Sequence, residues 1–513
     1  MNISFDIAFV GSGISSSFTL LHLLRNLDQN HSELSLRIGI FEKSDEFITG
    51  LPYGERSGSS VLLITDLKSF IPEPERSLYI NWLTKNKDAL LREMARSGGH
   101  KTQEWLKKHA SALEANQWDD LFIPRRFFGI YLTEQIDYLI QKNKEANKVS
   151  VEFIHADVQG LNKSANRWTL VDDANRDYTA EKVVLGLGSL PTRLLWGNEP
   201  IVQQDDLMVV NEIYVQGLNN TIAGIRKFLE DKEKVNVAII GANAGAVEIL
   251  YRLVDEGLGE FCDTFYFLST HGVLPDSYLD EEKLKLFSPV NLLGLASASH
   301  ISATDIYDAT QKDIDAAEKM ELGARSSVGV ISGAIGNLLG KLDERELAIF
   351  AARYGNEIGR RQRCAGDHYI DTILDLKQAG KFQHIAGRFT DLVKLEGNSA
   401  GYSLNYKATQ TGHSESITKP ISLVINCSGS MSLESEHAPK LLQTIMTKGW
   451  AQPNDSGVGF EVNDQLQTKG GLYVVGPMLG GNVIQSKAVW HVEHCGRIVW
   501  LSGLLAKELI QEV

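Results

Sequence analysis

The run DIAFVGSGISSSFTLLHLL, from Asp6 to Leu24, constrains the fold more than any other stretch. An apolar run, Ile7 to Val10, suits a parallel strand buried on both faces. It stops at Gly11-Ser12-Gly13-Ile14-Ser15-Ser16, and an apolar, helix-like segment follows at once. The spacing is G-x-G-x-x-[G/A/S]. The first glycine permits a tight turn, and the second lets a pyrophosphate approach the backbone. The small third residue, Ser16, lets the helix pack on the strand. The helix start then offers free N–H groups and the positive end of its dipole to phosphates.

Such a motif gains weight from a second strand ending in an acid. LRIGIFEK supplies one, with Glu42 and Lys43 closing the strand Leu36–Phe41. A carboxylate at that point accepts hydrogen bonds from a ribose diol. NLDQNHSEL reads as the loop that lengthens the spacing between the two.

KVNVAIIGANAGAVEILYRLV repeats the grammar at Lys234 to Val254. Its turn, with Gly241, Asn243, Ala244 and Gly245, is a relaxed form in which alanine replaces a middle glycine. The next strand, TFYFLST, ends in Ser269 and Thr270 without an acid. An acid there favours an unphosphorylated ribose, so its absence points to NADPH. Two further strands end in glycine turns, KVVLGLGSLPT with Gly188 and SLVINCSGS. Near the C-terminus GGLYVVGPMLGGN carries Gly476 and Pro477 and precedes a long helix.

Composition excludes several classes. Net charge is −14 over 513 residues, which argues against a general nucleic-acid binder. The four cysteines are far apart, with no C-x-x-C pair and no zinc-ligand spacing, and no metal is expected. The N-terminal stretch lacks a basic region and a cleavage site, and no apolar run reaches the ~20 residues of a membrane span. A cytoplasmic protein is the expectation.

The order of these motifs resembles the two-dinucleotide-binding-domain flavoproteins, in which the first motif binds FAD and the second NAD(P)H. GLGS and NCSG are similar to that class's crossovers between domains, and VVGP to the strand-loop facing the flavin. Two subgroups are closest. GLPYGERS, PRRFFGIYL and VWHVEHCGRI resemble urate-hydroxylase-like oxidoreductases. TDLKSFIPEPERSLYINWL and GGNVIQ resemble lysine/ornithine N-hydroxylating monooxygenases. The resemblance implies an α/β fold of two Rossmann-like domains, for FAD and NAD(P)H, with a helical insertion. The boundaries expected are 1–195 and 381–513 for the FAD domain and 196–380 for the NAD(P)H domain, with Ala296–Lys377 helical.

It also implies a monooxygenase that uses NADPH and O2 to hydroxylate a small molecule through a C4a-(hydro)peroxyflavin, with an amine nitrogen as one target. The alternatives are an FAD-dependent oxidoreductase with another acceptor and a non-catalytic flavin-binding protein. Flavin-proximal positions carried over are Pro52, Tyr53, Thr65, Asp66, Asn482 and Gln485, with Asp66, Asn482 and Gln485 nearest the chemistry. Asp66 reads equally as a cap for LKSF. Arg125 and Arg126 read either as a phosphate or carboxylate clamp or as surface charge. Arg360, Arg361 and Arg363 read as an NADPH-phosphate cluster or a solvated helix face. His491 and His494 read as structural. A homo-oligomer formed through the helical segment stays open.

Overall fold

In the computed structural model, residues 3–30, 35–165, 167–396 and 401–511 are described. The chain opens with β1 (Ile3–Val10), α1 (Ile14–Asn30) and β2 (Leu36–Glu42). Strand β1 buries Ile7, Ala8, Phe9 and Val10 on both faces, which is why it reads as an unbroken apolar run. The helix runs on to Asn30, through part of the stretch read as a loop; residues 31–34 of that stretch lie outside the described residues.

A helical excursion follows, including Glu75–Ser97, His100–Lys108 and Arg125–Glu145. The chain then adds β3 (Val149–His155), β4 (Val158–Ser164), β5 (Arg167–Asp172) and β6 (Asp177–Leu185). The sheet order is β3-β2-β1-β6-β5-β4. Strands β3, β2, β1 and β6 are parallel, while β5 and β4 extend the sheet antiparallel.

The second sheet contains β7 (Ile201–Gln203), β8 (Met208–Val210), β9 (Val235–Ile240), β10 (Cys262–Ser269), β11 (Phe382–Lys394), β12 (Tyr402–Ala408) and β13 (Ser414–Asn426). Helix α2 (Ala244–Asp255) connects β9 to β10, as α1 connects β1 to β2. The order is β12-β11-β10-β9-β13-β8-β7, with β8, β13, β9, β10 and β11 parallel. The second domain's sheet therefore reaches Asn426, and the return to the first domain does not begin at residue 381. Strand β11 pairs with β10 across the whole intervening insertion, from Phe265↔Phe382 to Ser269↔Ala386.

Helices from Glu281 to Gln378 fill the crossover between β10 and β11, beginning before the expected Ala296. Residues 287–358 of this insertion bury a separate apolar cluster that includes Leu292, Ile306, Ile331 and Phe350. The C-terminal return adds β14 (Tyr473–Val474) beside β6, then the hairpin β15 (Asn482–Ile484) and β16 (Lys487–Val489). That hairpin feeds Ala488 and Trp490 into the insertion's core. Helix α3 (Cys495–Gln511) closes the chain against α1, where Ser502 Oγ donates to the Ser15 carbonyl at 3.0 Å. Among the described residues, no helix is long and apolar enough to cross a membrane.

Candidate dinucleotide sites

Three strand ends converge on the start of α1. Gly11 has φ +94°, and a Cβ on it would lie 2.3 Å from the Gly186 carbonyl oxygen after β6. The turn is laced by Gly11 N–H donating to Phe41 O (2.8 Å) and Gly186 N–H to Val10 O (2.9 Å). A Cβ on Gly476 would come within 3.1 Å of Ser15 Oγ, so the loop after β14 also grazes this helix start. Gly13 faces Gly50, whose own Cβ would sit 2.9 Å from the Gly13 Cα. The amides of Gly13, Ile14 and Ser15 have no acceptor among the described residues. The first turn of a helix leaves such groups open, and Gly50 approaches them with backbone alone: a Cβ on it would lie 3.5 Å from Ile14 N. Ser16 Oγ is buried without a hydrogen-bond partner among the described residues. This cradle, which side chains would fill, suits a pyrophosphate.

Glu42 ends β2, buried beside the turn. Its Oε2 accepts from Ser12 N (2.9 Å) and Ser12 Oγ (3.1 Å), and its Oε1 from Ser44 N (3.0 Å) and Ser44 Oγ (3.1 Å). Two of those donors are hydroxyls that can rotate away and release lone pairs to a diol. Lys43 is exposed, and its carbonyl meets His155 Nε2 at 3.2 Å.

The second turn copies the first. Gly241 has φ +120°, and a Cβ would lie 2.1 Å from the Cys427 carbonyl oxygen after β13. Gly241 N–H donates to Leu268 O (2.8 Å) and Cys427 N–H to Ile240 O (2.7 Å), the same lacing as in the first domain. Asn243 caps α2, its Oδ1 accepting from Ala246 N at 3.1 Å while its Nδ2 donates to Cys427 O at 2.8 Å. Ala244 and Gly245 form the half-buried first turn. At the end of β10, Ser269 Oγ pairs with His384 Nε2 at 2.8 Å, and the Thr270 carbonyl accepts from Thr409 Oγ1. Gly188 has φ +72° and open space around it. The two glycine crossovers lie side by side, with Arg193 N–H donating to Gly429 O and Met431 N–H to Pro191 O.

The remaining expected positions separate. Asp66 is nearly fully buried and caps the turn Leu67–Phe70 through Ser69 N (3.0 Å); its Oδ2 also accepts from Arg325 Nη2 at 2.7 Å. The capping reading is the observed one, and the arginine was not foreseen. Tyr53 is buried with its hydroxyl 3.5 Å from Cys495 Sγ at the start of α3; burial drives its pKa well up. Pro52 is exposed and Thr65 half-buried. Pro477 opens a short turn beside Gly476. Asn482 is buried and tied down, its Nδ2 donating to Phe460 O and Leu479 O at 2.9 Å each. Gln485 lies at the exposed tip of the β15–β16 hairpin with φ +47° and lines a polar surface depression with Asp464 and Lys507. The structure does not bring it to the glycine cradle.

The arginine pairs also resolve. Arg125 is neither a phosphate clamp nor surface charge. Its Nη1 and Nη2 donate to Glu248 of α2 at 2.6 and 3.0 Å, and Tyr214 Oη donates to the same carboxylate at 2.5 Å. Arg126 pairs with Glu55 at 2.8 Å, and Arg361 with Asp315 and Glu318. The partner acids lie more than 40 residues away in each case, so no local pattern marked them.

Residues 8–190 match the family model described as FAD-NAD(P)-binding. An uncharacterized protein of Mycobacterium tuberculosis is 29% identical over 99% of this chain and 95% of its own length. Among solved structures, the ornithine N-hydroxylase of Kutzneria sp. 744, with reduced FAD, NADP+ and L-ornithine, superimposes with a TM-score of 0.54 at 12% identity, covering 99% of both chains. The L-lysine 6-monooxygenase of Pseudomonas syringae gives 0.53 at 13% identity over 99% of this chain and all of that one. The FAD-bound cadaverine monooxygenase of Erwinia amylovora gives 0.52 at 12% over 99% and 95%. Along its length, then, the chain has the two-dinucleotide-binding-domain flavoprotein fold.

Proposed function

We propose that the chain is an FAD- and NADPH-dependent monooxygenase that hydroxylates a small molecule, with an amine nitrogen as the leading target. The observation that carries this reading is the duplicated laced turn, Gly11–Gly186 and Gly241–Cys427, each opening onto an uncapped or lightly capped helix start. Two such turns suit two dinucleotides, and the solved structures of the same fold include FAD- and NADP+-bound N-hydroxylating enzymes.

In this reading Gly11 to Ser16 hold the FAD pyrophosphate and Glu42 its ribose. Gly241 to Gly245 hold the NADPH pyrophosphate, with Ser269 and Thr270 toward the 2′-phosphate. FAD, when bound, supplies the electron transfer and oxygen chemistry. The protein's part is binding, orientation and exclusion of water. The Gly188, Gly476 and Pro477 turns, with Tyr53 and Thr65, would wall the cofactor. Asp66 and Asn482, whose polar atoms are already engaged, act as positioning residues that fix the loops.

The test is to purify the protein, record its flavin absorption, and follow NADPH, NADH and O2 consumption with candidate amines. Copurifying FAD, faster oxidation of NADPH than NADH, and substrate-coupled O2 uptake are expected. Absence of flavin after reconstitution would sink the cofactor assignment. Flavin reduced by NADPH that passes electrons to a dye but not to O2 would replace the monooxygenase with a reductase.

A further inference from the structure

The lacing of the two glycine turns aligns the two domains residue by residue. Gly11 N–H donates to Phe41 O in the first and Gly241 N–H to Leu268 O in the second, each at 2.8 Å. The residues that follow are therefore equivalent: Glu42 at the end of β2, Ser269 at the end of β10. In a dinucleotide fold this position meets the adenosine ribose. The first domain sets a carboxylate there, which accepts from a diol and repels a phosphate. The second sets a hydroxyl.

That hydroxyl has a basic group behind it. Ser269 pairs with Ala386 of β11, so His384, two residues back, lies on the same face of the sheet. Its Nε2 is 2.8 Å from Ser269 Oγ. Among the described residues neither the ring nor the hydroxyl has another hydrogen-bond partner. Strand β11 then runs on past the end of β10. Gly387 faces the other way, toward Tyr406 and Leu268, and Arg388 returns to the face of His384. Arg388 stands directly opposite Lys407 of β12; both are exposed, and neither forms an ion pair among the described residues. Like charges so placed repel across the ladder. From Ser269 to Leu274 there is no acid to balance them.

Burial lowers the His384 pKa, and Lys377 of the helix Asp367–Gln378 adds to the effect, so the ring is neutral at neutral pH. A dianion at Ser269 favours the charged ring instead. With its proton on Nδ1, the neutral ring accepts the Ser269 hydrogen at Nε2. After taking a proton from solvent, Nε2–H donates to Ser269 Oγ, and the hydroxyl hydrogen is released toward the phosphate.

We propose that Ser269 and His384 select the nicotinamide cofactor: Ser269 Oγ donates to the 2′-phosphate of NADPH, and His384, protonated as the phosphate docks, supplies the counter-charge for which other dinucleotide folds use an arginine. The proposal rests on the reading of the second glycine turn as the NADPH site.

The FAD-loaded protein is titrated calorimetrically with 2′,5′-ADP, which carries the 2′-phosphate, and with 5′-AMP, which lacks it. Each titration is run in HEPES and in Tris at matched ionic strength, so that proton uptake appears as a buffer-dependent heat. At about pH 7.5 the phosphate is already a dianion, and uptake reports the protein. H384Q keeps a neutral donor and removes the charge; S269A removes the hydroxyl. Wild type should bind 2′,5′-ADP more tightly than 5′-AMP and take up a proton with 2′,5′-ADP alone. H384Q should bind 2′,5′-ADP at least about tenfold more weakly, the size of a lost charge-assisted hydrogen bond, and without the uptake. S269A should weaken it several-fold. Both variants should keep wild-type affinity for 5′-AMP, which also reports an intact site. S269E, which repeats in the second domain what Glu42 does in the first, should prefer 5′-AMP.

If wild type prefers 2′,5′-ADP but H384Q binds it equally well, or with the same proton uptake, the proposal is overturned and the NADPH reading stands. Variants that lose both nucleotides by the same factor overturn it too, since the pair then only supports the fold. Wild type that binds the two nucleotides alike overturns it and turns the cofactor reading to NADH. Wild type that binds neither, with its flavin in place, removes the second dinucleotide site and the proposal together.

Discussion

Gly11 and Gly188 both have positive φ, yet they carry different constraints. At Gly11 the left-handed backbone coincides with a carbonyl 2.3 Å from where a Cβ would sit, whereas Gly188 has nothing within 4 Å. Gly188→Ala therefore meets only backbone strain, about 1 kcal/mol. Gly11→Ala must also push β6 away from β1, which breaks the Gly186–Val10 hydrogen bond and widens the cradle. We expect G188A to keep its flavin with a small loss of thermal midpoint, and G11A to purify with little flavin. Equal flavin content in the two variants would show that the close approach is not what holds the site. Asp66 makes a second contrast. Asp66→Ala removes a cap, about 1 kcal/mol, and leaves Arg325 unpaired. D66A should lower the thermal midpoint while flavin content holds; a loss of flavin without loss of stability would instead place Asp66 at the cofactor.

At the scale of elements, α2 is the member that ties the two domains. Along one helix, Glu248 takes Arg125 and Tyr214, Arg252 reaches Ser60, and Asp255 accepts from Gly99 N (3.0 Å) and Thr102 N (2.9 Å) of the first domain's excursion. Glu248→Gln leaves the Arg125 guanidinium buried without its counter-charge, a loss on the order of 3–5 kcal/mol. Pairing it with Arg125→Met should recover much of that loss in a double-mutant cycle, read by urea unfolding. Additive losses would mean that the pair does not act as a unit. This helix also shows what a sequence makes legible. Its glycine turn and apolar face are local, so α1, α2 and the strands before them could be read directly, with Glu42 at its strand end. The partners of Arg125 and Arg126 could not, because each lies in a different element. The boundary at 381 failed for the same reason: β11, β12 and β13 look like any strands, and only pairing with β10, β9 and β8 assigns them to the second sheet. Gln485 matched by motif, but its hairpin points that tip to the surface.

For the whole molecule, the seam between the domains sets how the protein responds to acid. His368, in the first turn of the helix Asp367–Gln378, sits among rings from both domains: Phe122 at 5.7 Å, Tyr251 at 5.5 Å and Tyr369 at 4.0 Å. Its Nε2 has no hydrogen-bond partner among the described residues. Desolvation first, then the nearby Lys108 and His109, pull its pKa down to about 3 from an ordinary 6.5. The neutral ring is therefore the folded form, while the unfolded chain takes up the proton near pH 6.5. Its contribution to stability is complete above that pH and is lost progressively as pH falls toward 3. His368 as a whole residue is half-buried, and the loss by about pH 4.5 is on the order of 1–2 kcal/mol. His368→Phe keeps an aromatic ring in the cluster and removes the proton acceptor. Urea unfolding at neutral pH and at about pH 4.5 should show the wild type losing that increment and H368F losing less by the same amount. If both fall equally, the seam is not where acid enters, and the cluster around His491, whose pKa burial lowers to about 4, becomes the place to look.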